Sequence, residues 1–281
     1  MPQDAQAGGP EQDHTQIDTT VPQSARIYDY WLGGKDNFEV DRQVANATTA
    51  ASPGVRQGAR DNRAFLGRAV RFIAEQGVKQ FLDIGTGIPS LDNVHEVAQR
   101  IAPESRILYV DNDPIVLAHA RALMTSAEQG RTAFILADLR QPRDILANPA
   151  LRDTLDLGRP VALFLVGVLH HLHDSDDPRG IVSTLLEALP SGSYFALTQP
   201  TADFDQAAMA GMAATAEQSG IPYVPRSRTE VEALLDGLVL VEPGLVPIPA
   251  WNPLDLDYPG SAEVDRDPYS VYGWAAVARK P

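Results

Sequence analysis

Three acids in this chain each close a short apolar run: Asp83 in QFLDIGTG, Asp111 in RILYVDND and Asp138 in TAFILADL. Gly85 and Gly87 follow the first, where a tight Gly-x-Gly turn lets the backbone approach a ligand and present its N–H groups. Asp111 lies 26 residues after Gly85, which places it to accept hydrogen bonds from both hydroxyls of a ribose. Asn112 beside it joins the ligand-facing set, and Asp113, just before Pro114, suits a helix N-cap. Asp138 is placed to accept from an adenine amino group while Leu139 covers the ring.

A second group follows the apolar run 161–169 and contains His170, His171 and His173. A histidine titrates near pH 6.5 when unperturbed, which suits proton removal at neutral pH. His170 is the candidate base, with capping the next helix or filling a wall as the plainer alternative. No second carboxylate cluster accompanies the histidines, so no metal site is expected. A third group lies upstream in SARIYDYWLGGKDNF, residues 24–38, which combines aromatics, a double glycine and an Asp-Asn pair.

The elements that must position these groups can be read from periodicity. Residues 1–23 have little apolar content and are expected to form a disordered arm. Residues 24–77 read as a helical extension, with Ile27/Trp31 and Tyr28/Leu32 as i,i+4 pairs and a stop at Gly33-Gly34. Asp36 followed by Glu39 suits a second helix start. A third helix carries Arg63, Leu66, Val70 and Ile73 on one face.

From residue 78 to 281, strand-length apolar runs alternate with helical patterns. The runs are 80–84, 106–110, 132–136, 160–166 and 193–197, with helices at 93–101, 114–128 and 180–189. That alternation implies right-handed βαβ units and a parallel sheet covered on both faces. An Ala- and Met-rich helix at 203–219 and a short one capped by Thr229 and Glu232 come next. The last two strand candidates, 238–242 and 271–278, have no crossover helix between them and are expected to pair antiparallel. The fold class is α/β, a Rossmann-like, mostly parallel sheet with an antiparallel C-terminal strand and an N-terminal helical extension.

Composition narrows the partners. Lys and Arg number 23 against 37 Asp and Glu, a net charge of −14, which disfavours nucleic acid because phosphate binding relies on basic groups. No cysteine is present, which excludes thiolate chemistry and disulfides. The longest apolar run is too short for a bilayer, which takes about 20 residues. A cytoplasmic protein without membrane attachment is expected, its oligomeric state open.

A glycine loop with acids at the ends of two further strands describes a pocket for an adenosine-containing ligand. Ser90 stands where the dinucleotide fingerprint has its third glycine, and Pro89 occupies the turn a pyrophosphate would use. The competing ligand, S-adenosylmethionine, carries no phosphate. Its methionine end carries an ammonium, a carboxylate and a sulfonium. Asp29 or Asn37 is a candidate acceptor for the ammonium, Arg63 for pairing with the carboxylate, and Tyr28 or Tyr30 for a ring or hydroxyl near the sulfonium. Gly33 belongs to the turn expected to close over that end as a lid.

Asp83-x-Gly85-x-Gly87, Asp111 and Asp138-Leu139 resemble the first three motifs of class I S-adenosylmethionine-dependent methyltransferases. Residues 25–30, 32–38, Asp41-Arg42, Asn62-Arg63, 80–87, 93–95, 109–114 and Leu169-His170 resemble more closely an actinobacterial methyltransferase family long filed as a domain of unknown function. The resemblance runs from Ser24 to the C-terminus. It implies a class I fold, S-adenosylmethionine as cofactor, and methyl transfer to a small molecule that it does not identify. Two departures stand out. Thr198-Gln199 replaces the family's frequent Ser-His after the fifth strand, which removes a histidine base there. Trp274 replaces one of a glycine pair and is expected to narrow the substrate end. A non-catalytic cofactor-binding sensor and a nicotinamide-dependent oxidoreductase are the alternative readings.

Overall fold

The computed structural model describes residues 18–90, 92–251 and 272–281. Most of the expected arm and the first residue of the expected last strand, Val271, lie outside these residues. The apolar runs become β1 (Gln80–Ile84), β2 (Arg106–Asp111), β3 (Arg131–Leu136), β4 (Ala162–Val166) and β5 (Tyr194–Pro200). Three later strands, β6 (Val239–Leu240), β7 (Val246–Pro247) and β8 (Gly273–Arg279), complete one sheet in the order β3-β2-β1-β4-β5-β8-β6, with β7 beside β8. The first five run parallel. The last strand enters between β5 and β6 and is antiparallel to both, with Leu197 opposite Ala276.

Side chains of each central strand alternate between the two faces, as the two-residue period requires. Leu82 and Ile84 of β1, with Phe195 and Leu197 of β5, join one core. Phe81, Tyr194 and Ala196 join the other. The second core is covered by α3 (Val55–Glu75) and α4 (Val94–Ile101). On the opposite face lie α6 (Pro142–Ala147), α7 (Pro149–Thr154), α8 (Pro178–Glu187) and α10 (Arg228–Leu234). Burial on both faces explains why β1, β4 and β5 read as continuous apolar runs.

Several boundaries differ from the sequence expectation. Helix α5 (Pro114–Leu123) ends before residue 128, and α6 and α7 fill the connection between β3 and β4. Helix α10 is opened by Ser227 and Glu230, whose side chains exchange hydrogen bonds with each other's backbone, and not by Thr229 and Glu232. No helix among the described residues is long and apolar enough to cross a membrane.

The N-terminal layer consists of α1 (Ser24–Leu32) and α2 (Glu39–Ala51), with α9 (Gln206–Gln218) packed on α2. Its internal anchor is ionic. Arg26 and Asp41 lie 3.6 Å apart, 1% and 0% exposed. Asp41 also accepts from the backbone N–H of Gln23 at 2.9 Å and of Phe38 at 2.8 Å, joining the starts of both helices. Arg26 donates to the carbonyl of Val21 at 2.7 Å, which fixes the chain just before α1.

Removing one partner of a buried pair leaves the other charge uncompensated. Asp41→Ala is therefore expected to lower unfolding free energy by about 3 kcal/mol. Glu75→Ala, which breaks the surface pair with Arg71, should change it by no more than about 0.5 kcal/mol. Urea unfolding of the two variants checks the contrast.

Candidate active site

The carboxyl ends of β1 to β4 border a cavity of about 370 Å³. A larger groove of about 1080 Å³ runs along the opposite edge of the sheet, lined by Lys79, Arg106, Arg159 and Arg279 among others. It lacks the glycine loop and faces the wrong end of the strands for a parallel α/β sheet, where ligands bind beyond the carboxyl ends.

The loop after β1 is held in a bent shape by the end of β2. Gly85 N donates to Val110 O at 2.8 Å, and Gly87 N donates to Asp111 Oδ2 at 2.9 Å. Gly85 has φ +77°, and a Cβ there would come within 2.5 Å of Val168 Cγ2. Only glycine meets both constraints. Asp111 Oδ1 accepts from Asp113 N at 2.9 Å, and Asp113 caps α5 by accepting from Ile115 N at 2.9 Å. Both acids line the cavity, and Asp113 also caps the helix as expected.

Electrostatics follow from this enclosure. Burial pushes the Asp83 carboxyl up to about 7, against the pull of the Arg63 guanidinium and with a further push from Asp111. Burial also raises Asp111, opposed by the N–H groups of Asp113 and Gly87. Asp138 behaves differently, because a hydrogen bond from the Arg140 side chain holds it below the usual range. Arg140 grips both carboxylate oxygens, with Nε 3.0 Å from each.

Of the residues singled out in the sequence, Tyr28, Arg63, Asp83, Gly85, Gly87, Asp111, Asn112, Asp138 and Leu139 line this one cavity. Gly33, Asn37 and His170 do not line it. Gly33 ends α1 in the left-handed conformation, with φ 87°. Asn37 is buried and donates to Asp29 Oδ2 at 2.8 Å, while Asp36 N donates to the same oxygen at 3.0 Å. The Gly-Gly-Lys-Asp-Asn turn is therefore closed on Asp29, and a Cβ at Gly34 would overlap that carboxylate. His170 is sealed behind its neighbour, its ring 4.0 Å from that of His171 and 4.8 Å from that of Tyr223. Burial lowers its pKa well below the ordinary value. Trp274 is also away from the cavity: its Nε1 donates to Asp203 Oδ2 at 2.9 Å, and its ring packs on Phe204.

The cavity also gathers residues that motif spacing did not single out. Val21, Pro22 and Gln23, which composition placed in the arm, line it next to Ser24, Ala25 and Tyr28 of α1. Tyr28 Oη donates to Ala59 O at 2.8 Å and accepts from Asn62 Nδ2 at 3.0 Å. Thr198 Oγ1 donates to Asn62 Oδ1 at 2.6 Å and accepts from Gly167 N at 2.9 Å. Val168, His171, Leu172, Ser219, Gly220, Ile221 and Pro222 line the side beyond β4. His171 belongs to the histidine group already noted in the sequence, whereas the others had no signal but position, immediately after the fourth strand or within a Pro-containing connection. Among the described residues no cluster of three or more His, Asp or Glu side chains is arranged to hold a metal.

The donor set fits S-adenosylmethionine. Two carboxylates drawn out of water can accept from a ribose diol and an ammonium, and Arg63 offers a partner for a carboxylate. A dinucleotide fits less well, since Ile88, Pro89 and Ser90 at the approach to α4 do not line the cavity.

Comparison with known proteins agrees with this geometry. The profile of the S-adenosyl methyltransferase family matches residues 10–281. The chain is similar to a DUF574 family protein from Streptomyces avermitilis MA-4680, known as a crystal structure. The two are 46% identical with a TM-score of 0.90, over 95% of this chain and 100% of that one. It is also similar to a protein of Thermobifida fusca YX solved as a candidate methyltransferase, at 37% identity and a TM-score of 0.84, over 96% and 99% of the two chains. No match is found among curated proteins. These matches remove the nicotinamide alternative. Because the family profile covers nearly the whole chain, the protein belongs to the S-adenosyl methyltransferase family, has the class I fold and takes S-adenosylmethionine as its cofactor.

Proposed function

We propose that this protein transfers a methyl group from S-adenosylmethionine to a small molecule seated in the same cavity. The observation that carries this is the cavity's two-part wall. Carboxylates and the glycine loop occupy the ends of β1 to β3, while Val168, His171, Leu172, Ile221 and Pro222 occupy the far side. When bound, the cofactor supplies an electrophilic methyl on a sulfonium, with a neutral thioether as leaving group. The protein's task is then alignment more than activation.

On this reading Asp111 accepts from the ribose hydroxyls, and Asn112, Asp138 and Leu139 receive the adenine. Asp83, Arg63 and Tyr28 receive the amino-acid end. Gly85 and Gly87 let the backbone approach the ligand. Gly33 and Asn37 support this end indirectly, because they build the Asp29 turn that ends α1 one turn after Tyr28. The cavity encloses a volume typical of small-ligand sites, about 300–1,000 Å³. With the acidic net charge, that scale favours a small acceptor over a nucleic acid.

Calorimetric titration with S-adenosylhomocysteine and transfer of labelled methyl to fractionated cell extract test this function. Label appearing in small-molecule fractions supports it. Label confined to protein or nucleic acid overturns the acceptor class, and binding with no transfer to any fraction favours a sensor. Asp111→Ala should weaken S-adenosylhomocysteine binding by about 100-fold, as expected for losing two hydrogen bonds to a charged acceptor.

The raised pKa of Asp83 gives a pH signature. Only the ionised carboxylate attracts an ammonium, so affinity should rise as pH increases through about 7. Stability runs the other way: a carboxyl whose folded pKa is raised contributes stability below its ordinary value of 3.8, and that contribution is lost as pH rises through about 7. Asp83→Asn should therefore raise the melting temperature of the ligand-free protein at pH 8, weaken binding, and flatten the pH dependence of both.

A further inference from the structure

The three histidines after β4 differ in what each ring can do. His173 is exposed. His170 is buried, and its Nδ1 has no hydrogen-bond partner among the described residues. His171 reaches the cavity, with Nδ1 2.8 Å from the carbonyl oxygen of Pro222. A carbonyl only accepts, so in the neutral ring Nδ1 carries the proton and Nε2 carries the lone pair. No hydrogen bond engages Nε2 among the described residues.

The turn that presents this ring is fixed by backbone contacts from residues 221–226. The Arg226 guanidinium, 5% exposed, donates to Leu169 O at 3.0 Å and to Leu172 O at 2.9 Å. Val224 N donates to His170 O at 2.8 Å, and Gln199 Nε2 donates to Val224 O at 2.8 Å. The imidazole is therefore held from both sides of its own turn, with little freedom to lose when a substrate arrives.

The two segments that flank His171 in the cavity wall contribute Val168, Leu172, Ile221 and Pro222, with Gly167, Ser219 and Gly220 beside them, and no carboxylate. An amine that arrives neutral already has its lone pair and needs no base. A hydroxyl must lose its proton as its oxygen is alkylated. A cationic acceptor in this part of the cavity would lose its hydration without a carboxylate on the apolar wall to replace it.

We propose that His171 is the general base for a weakly acidic hydroxyl, of the phenol kind, carried on a flat apolar acceptor packed against Val168, Leu172, Ile221 and Pro222. The proposal rests on the methyl-transfer function above. The acceptor oxygen bonds the methyl carbon as the carbon–sulfur bond breaks toward sulfur, and the hydroxyl proton passes to Nε2 of His171 and then to water. The charged and titratable groups close to the turn are His170, Tyr223, Arg226 and Asp174, the last paired with Arg226 at 3.3 Å. Packing around the His171 ring lowers its pKa, partly offset by the bond to Pro222, so the ring is neutral at pH 7.

Nitrogen-15 NMR of the ligand-free protein with labelled histidine reads the tautomer directly. The expected result is a protonated Nδ1 and a bare Nε2 at His171, titrating below 6.5; a protonated Nε2 in the neutral ring overturns the proposal. In His171→Asn the side-chain amide can still donate to Pro222 O. Labelled methyl transfer to a panel of phenols and matched anilines should fall by about 100-fold or more for the phenols in this variant. The acid limb of the pH–rate profile should vanish, while affinity for S-adenosylhomocysteine stays within about twofold. With S-adenosylhomocysteine bound normally, undiminished phenol methylation in His171→Asn, or a wild type that methylates anilines or nothing in the panel, overturns the base and hydroxyl assignment alone. Failure of the wild type to bind S-adenosylhomocysteine overturns the methyl-transfer function, and this proposal with it.

Discussion

The organisation of this protein depends on carboxylates held at the edge of a hydrophobic sheet. Asp83 is buried and Asp111 half-buried, and an ionised carboxyl out of water is costly unless partners replace its hydration. The structure supplies partners of two kinds. Asp111 receives backbone N–H groups from Gly87 and Asp113, which also set the shape of the glycine loop and the start of α5. Asp83 is compensated only in part, by the Arg63 guanidinium of α3, so burial still raises its pKa. Local and long-range structure around the cavity are thus tied to the same two acids.

The N-terminal layer shows how one helix serves two ends. Ser24, Ala25 and Tyr28 lie on one face of α1 and line the cavity, while Asp29 turns the other way and organises the chain after Gly33. The left-handed glycine takes the backbone away one turn past Tyr28. The unusual composition of SARIYDYWLGGKDNF therefore reflects two neighbouring demands. One is a cavity wall built on Tyr28 and Asn62, and the other is a tight turn with a buried Asp29–Asn37 hydrogen bond.

The acids at the strand ends and the five parallel strands were legible because each rests on local pattern. Strands buried on both faces read as apolar runs, and a polar residue at the end of such a run falls at the sheet edge. What the sequence did not disclose depended on distant contacts. His170 and His171 are adjacent, and either type suits a base. Which one reaches the cavity is fixed by Arg226, Val224 and Pro222, more than 50 residues downstream. The two Ser/Thr-x-x-Glu patterns before α10 overlap, and Ser227 caps while Thr229 lies inside the helix. Likewise, Trp274 looked like a cavity residue until the partners of its ring, Asp203, Phe204 and Arg228, were in place.

Charge is also segregated within the cavity, and the chemistry depends on that separation. Asp83, Asp111, Asp113 and Asp138 all sit at the carboxyl ends of β1 to β3, whereas His171 lies beyond β4 in a segment without carboxylates in the cavity wall. A carboxylate beside an imidazole raises its pKa and would favour the protonated ring near neutrality, which cannot accept a proton. In a chain with net charge −14, keeping one histidine neutral requires that its surroundings be closed to acids. The clamp on the histidine turn meets this requirement with a guanidinium and carbonyl oxygens, not carboxylates, at its buried contacts. Asp174, which pairs with Arg226, is itself exposed. Confining the acids to one half lets the cavity bind a cationic cofactor while the other half holds an uncharged base.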